Sequence, residues 1–152
     1  DYSRWHAEYR QHLTPWPGTT FQFMAGGAYS DGEVPFYDLF AIGGHSFADA
    51  ASRQFLGLRR DEFRVRQMAV VGVGYRREIF ARPLNLVKRG YLTATYNGAF
   101  LGERTSAPYD FRYFNGIGVG LAADTMIGPL HVQTGWGEGG RLNFHLSFGP
   151  RF

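Results

Sequence analysis

Five histidines, one serine pentapeptide and one run of alternating glycines are the features of this 152-residue sequence whose types and spacing could do chemistry. Gly44-His45-Ser46-Phe47-Ala48 comes within one residue of the nucleophile elbow Gly-x-Ser-x-Gly, which presents its serine on a sharp turn between a strand and a helix. No strand pattern precedes it, no helix pattern follows it, and Ala48 stands where the second glycine belongs, so Ser46 reads as a loop serine. Gly116-x-Gly118-x-Gly120 has part of the spacing of a dinucleotide loop, but such a loop must open a helix. Here the glycines alternate with Ile117, Val119 and Leu121 and form a stripe on a strand face. If the last hairpin pairs Gly137 with Asn143, His131 faces Gly149 and His145 faces Gly135, too far apart along the wall to share an ion, and His6 and His12 lie farther away. The chain has no cysteine, which removes thiol catalysis, Cys-based zinc sites and disulfides. No catalytic residue, metal or cofactor is expected, and the chain reads as a non-enzyme.

The elements that carry these residues are strands. With 44% hydrophobic, 17% aromatic and 19% charged residues the chain is too apolar for disorder, and 21 glycines without a collagen period argue against a helix bundle. The longest apolar run, Ala69 to Tyr75, is far short of the roughly 20 residues of a membrane-spanning helix. Period-two alternation, the signature of a strand with two unlike faces, runs through most of the chain. Leu142, Phe144, Leu146, Phe148, Pro150 and Phe152 alternate with Asn143, His145, Ser147, Gly149 and Arg151. Leu130 to Gly137 repeats the pattern across the turn Glu138-Gly139-Gly140-Arg141. Further strands are expected over Ile117 to Ala123, Tyr91 to Phe100, Phe63 to Ile79, Thr20 to Tyr29 and Arg4 to Leu13, seven in all, with Met68 and Val70 blurring the polar face of the Phe63 to Ile79 strand. Short connections at Thr14 to Gly18, Ala81 to Leu84 and Thr125 to Gly128 alternate with connections at Asp31 to Glu62, Gly102 to Phe111 and Glu138 to Arg141, of which the first two are long.

Short turns at one end and long loops at the other are the pattern of a transmembrane β-barrel. Aromatics near strand ends (Trp5, Trp16, Tyr29, Phe80, Phe100, Trp136 and Phe152) fit interfacial girdles. A soluble up-and-down barrel would turn its apolar face inward. The other face here is rich in glycine and poor in the lysine and glutamate that cover a soluble sheet, so the apolar face is expected to meet lipid. The fold class is therefore an all-β, antiparallel up-and-down transmembrane barrel of seven or eight strands in this chain, one unit over 1–152 with a long loop at 31–62. An odd count does not close a bacterial single-chain barrel. Alternation from a periplasmic Phe152 would put Asp1 at the outer end, so either an upstream strand or a second copy, as a homodimer, is expected to complete it.

On the polar face Arg64, Arg66, Arg76 and Glu78, with Arg4, Glu8, Arg10 and Arg89, are candidate lumen charges. Lining an open pore, their arginine excess would favour anions. Paired with one another or with loop acids such as Asp61 and Glu62, they would plug a narrow interior, and the plug is the expected state. Fifteen of the 16 basic residues are arginine and the net charge is only +3. Arg59, Arg60, Arg64 and Arg66 cluster, but without the lysine stripe or aromatic platform of a nucleic-acid face, and no nucleic-acid partner is expected.

Pro35-Phe36-Tyr37-Asp38-Leu39-Phe40-Ala41-Ile42-Gly43-Gly44, Phe55-Leu56-Gly57-Leu58-Arg59-Arg60-Asp61-Glu62 and Ile127-Gly128-Pro129-Leu130 with the terminal strand to Phe152 resemble the barrel of the bacterial surface antigen superfamily, most closely that of patatin-like autotransporters. The resemblance covers nearly the whole chain. It implies an outer-membrane barrel used in type V secretion as translocation conduit or anchor, with any lipase in an upstream domain, outer-membrane lipids around it and the barrel-assembly machinery as partner. The last strand, carried by Phe144, Leu146, Phe148 and Phe152, would then be the targeting signal. In that superfamily the long loop tucks into the lumen through an arginine that meets an acid on the wall. This chain departs from that pattern, with Leu56 where the arginine belongs and Thr95 near the place of the acid; Gly43, Gly44 and Gly57 mark the loop motif, and Arg59 or Arg60 is left to substitute. A homodimeric barrel without a passenger and a soluble lipid-binding β-barrel are the alternative readings.

Overall fold

The computed structural model describes residues 1–43, 52–53, 55–56, 58–59, 62–81, 86–104 and 112–148. Seven long strands carry the fold: β1 (Tyr2–Trp16), β2 (Thr19–Gly32), β5 (Phe63–Phe80), β6 (Val87–Arg104), β7 (Arg112–Thr125), β8 (Gly128–Gly137) and β9 (Arg141–Phe148). They form one up-and-down sheet in the order β1-β2-β5-β6-β7-β8-β9, each antiparallel to its neighbours. The sheet is open: among the described residues β1 pairs only with β2 and β9 only with β8. Two short strands within the long connection, β3 (Phe40–Ile42) and β4 (Ser52–Arg53), complete it. β3 pairs antiparallel with β5 at Phe40–Val65, beyond the end of the β2 ladder, and parallel with β4.

The alternation expected from sequence is realised as two chemically different faces. One is bare: Val71, Val73, Leu92, Ile117, Val119, Leu121, Leu142, Phe144, Leu146 and Phe148 are all exposed, Leu146 by 62%. The other is covered at one end by the connection between β2 and β5. There Phe40, Ile42, Phe55 and Leu58 pack on Ala28, Met68, Val70, Ala99, Leu101 and Phe114 as a single apolar core, with Val65 buried among them. Met68 and Val70, which break the polar pattern of β5 in the sequence, are thus the floor on which this loop rests.

Several expected boundaries shift. β1 continues through Thr14-Pro15-Trp16, leaving Pro17-Gly18 as the turn, with a register irregularity between Leu13 and Trp16; a proline is tolerated at such an interruption of the ladder. β2 extends over Asp31 and Gly32, and only Met126 and Ile127 separate β7 from β8. The last hairpin is tighter than expected. Gly137 pairs with Arg141, not Asn143, so His131 faces Ser147 and His145 faces Gln133. The reason is local: Gly139 and Gly140 both take left-handed backbone (φ 78° and 74°), which glycine adopts without steric cost, and the chain reverses within Glu138–Gly140.

Candidate functional site

Strand register sorts the loop-covered face into rows. Nearest the long connections lie Ala28–Met68–Leu101 and then Gly26–Val70–Ala99–Phe114, apolar and closed over by the loop. Next come Gly72–Asn97–Gly116 and Gly74–Thr95–Gly118, small and amide-bearing. Nearest the short turns are Arg76–Thr93–Gly120–Gln133 and Glu78–Tyr91–Ala122–His131, followed by Arg89 beside Asp124. The face therefore grades from hydrocarbon through glycine to charge along the same strands.

The glycine stripe has a specific use at the boundary between the first two zones. A Cβ on Gly116 would collide with the carbonyl of Leu56, and one on Gly118 would come within 2.6 Å of Leu56 Cδ1. Leu56 is 1% exposed, so it is a knob seated over two residues that offer no side chain. At the other end of the loop, Gly43 (φ 132°) lies so close to Arg59 that a Cβ there would strike the Arg59 carbonyl and approach the Glu62 nitrogen at 3.0 Å. The loop neck is tied across this point: the Arg59 N–H donates to Glu62 Oε2 at 2.7 Å, the Glu62 N–H donates back to the Arg59 carbonyl at 3.3 Å, and Arg141 of β9 pairs with Glu62.

The candidate lumen charges separate into two groups. Arg4 and Arg64 serve the loop. Arg4 pairs with Asp38 at 3.4 Å and lies 4.6 Å from the centre of the Phe40 ring, while Arg64 donates to the Phe36 carbonyl at 3.3 Å and covers the Phe36 ring. Tyr2 donates to the same Asp38. Arg66 contributes through its carbonyl, which accepts from Ser30 Oγ at 3.0 Å. Arg76, Glu78 and Arg89 belong to the turn end. The Arg76 guanidinium sits 3.6 Å from the centre of the Tyr91 ring and 3.9 Å from Asp124, Tyr91 donates to Asp124 at 2.8 Å, and Arg89 is 3.9 Å from Glu78. Arg10 pairs with Glu8 along β1. Between the groups, Gln133 Nε2 donates to Thr95 Oγ1 at 3.4 Å, so the wall position near Thr95 holds a neutral amide contact.

Of the loop motif, Gly43 and Arg59 are described and the Arg59 side chain is exposed; Gly44, Gly57, Arg60 and Asp61 lie outside the described residues, as do Ser46 and its pentapeptide. Phe144, Leu146 and Phe148 stand on the bare face of β9, and Phe152 lies outside the described residues. Two partners escaped the sequence reading. Tyr91 stands on the polar face expected for the Tyr91 to Phe100 strand; Asp124 continues the alternation of β7 one residue past Ala123 and was legible by extending it, while Asp38, in the long connection, carried no periodic signal. Among the described residues no group of three or more His, Asp or Glu side chains is placed to hold a metal ion. No family model, curated protein or solved structure matches the chain.

Proposed function

We propose that the chain is an integral segment of a bacterial outer-membrane β-barrel, similar in role to the translocation and anchor domain of a patatin-like autotransporter, without enzymatic activity of its own. The observation that carries this reading is the polarity of the sheet. The face that is bare along β5 to β9 is apolar and aromatic, and the face that bears arginine, glycine and amides is turned to the loop. Water would favour the reverse, since exposed contiguous apolar surface of this extent marks an interaction site for hydrocarbon or protein. The aromatics support a lipid setting. Trp5, Tyr29, Phe100, Tyr113 and Trp136 are exposed toward the long connections, and Trp16 and Phe148 toward the short turns; such belts sit at the two interfaces of a bilayer.

In this reading the loop between β2 and β5 stoppers the external end of the lumen, and β9 is the strand read by the assembly machinery. The test is fractionation followed by native mass spectrometry and gel mobility with and without heating. The protein is expected in outer membranes, released only by detergent, and heat-modifiable. Recovery as a stable monomer from detergent-free buffer would overturn the proposal in favour of a soluble lipid-binding barrel.

A further inference from the structure

The two free edges of the sheet constrain what can complete it. β1 and β9 are separated by six successive antiparallel pairings, so they run in the same direction. Direct closure of β1 on β9 would make a parallel seam. Two copies related by a two-fold axis along the barrel do no better, because such an axis preserves strand direction and again sets β9 of one copy parallel to β1 of the other. A two-fold axis across the barrel would reverse one copy and allow β1 to pair with β1 and β9 with β9. It would also put the long connections of the two copies on opposite sides of the membrane, which directional insertion of identical chains forbids.

Along most of their length the two edges are not protected against pairing. Edge strands that must stay free carry lysine, proline or a bulge. β1 has no lysine, and its one proline, Pro15, and its register irregularity both lie beyond Leu13, next to the turn; β9 has neither lysine nor proline, and its ladder with β8 is regular. The bare face continues to both edges, through Trp5, Tyr9 and Leu13 on β1 and through Leu142, Phe144 and Leu146 on β9. In hydrocarbon an open edge of unpaired backbone groups is not tolerated.

We propose that the barrel is completed by an odd number of further strands, the first antiparallel to β1 and the last antiparallel to β9, and not by a direct contact between these two edges in one chain or between copies. Seven plus an odd number is even, as in bacterial single-chain barrels. The completing strands carry apolar side chains outward, continuing the Trp5 and Leu146 belts, and polar side chains inward, against the His6, Glu8, Arg10 and His12 column of β1. The orientation step rests on the membrane reading above; the direction of the edges does not.

The experiment uses the full-length protein expressed in its outer membrane, with a photoreactive phenylalanine placed singly at Trp5, Leu13, Leu142 or Phe148 and the captured peptides sequenced by mass spectrometry. Captures within β2 or β8 are the known neighbours and serve as internal controls. The expected result is that the Trp5 and Leu13 probes capture one segment outside these seven strands in reverse chain order, and that the Leu142 and Phe148 probes do likewise. Capture of β9 by a β1 probe, capture of β1 by β1, capture in the same chain order, or no capture beyond the control strands would each overturn the proposal. The membrane reading is scored separately in the same preparations: recovery in the soluble fraction counts against it whichever peptides are captured.

Discussion

The two ends of the loop-covered face are built on the same strands and stabilised differently. At the loop end, β2, β5, β6 and β7 contribute Ala28, Met68, Val70, Ala99, Leu101 and Phe114 to a core in which the loop residues Phe40 and Phe55 are almost wholly buried. At the turn end the same β5, β6 and β7 contribute Arg76, Glu78, Tyr91, Arg89 and Asp124, held by ion pairs at 3.9 Å and one good hydrogen bond. Burial in the first region is nearly complete, while Arg76 and Asp124 remain about two-fifths exposed (43% and 41%). The lesson is that this wall is fixed where a loop can cover it with hydrocarbon, and is left adjustable where only charges line it, because exposed ion pairs contribute little once solvent screens them.

The comparison breaks most readily at the loop. Phe55→Ala removes a fully buried ring from the core and is expected to cost about 3–5 kcal/mol, read as a fall in the melting temperature followed by circular dichroism. Gly116→Leu forces a side chain into the Leu56 carbonyl; a cost of roughly 1–3 kcal/mol is expected, with the loop opened to added protease while far-ultraviolet circular dichroism keeps the strand signal. At the turn end Tyr91→Phe deletes the 2.8 Å bond to Asp124 and should cost only about 1 kcal/mol in the same melting assay. Arg76→Ala comes last. Its loss of the Asp124 pair should change stability by no more than about 1 kcal/mol, and the difference from the parent should shrink further in 1 M salt, where the screening length is about 3 Å. If the two turn-end substitutions cost more than the two loop-end ones, the contrast drawn between the regions is wrong.

Much of this was legible in the chain. Alternation over Arg141 to Phe148, Ile117 to Ala123 and Tyr91 to Phe100 fixed both the strands and the face of each side chain, because period two is a property of the extended backbone itself. The positions of Arg76 and Glu78 on the polar face of β5, and of Gly116 and Gly118 on that of β7, followed from the same rule. The partners of the arginines did not. Arg4 and Arg64 turn to the loop residues Asp38, Phe40 and Phe36, which have no periodicity to align, and the last hairpin slipped from the expected register because its length depends on two glycines taking left-handed backbone.

By itself the sequence determined an all-β chain of seven long strands with one apolar and one polar face, since each of those properties is set by neighbours one or two residues apart. Only the tertiary structure decided that the apolar face is the bare one, that Met68 and Val70 are covered rather than misplaced, and that Leu56 seats over the glycines of β7. Those depend on where a long loop returns to the sheet, a contact between residues distant in the chain that no local pattern encodes.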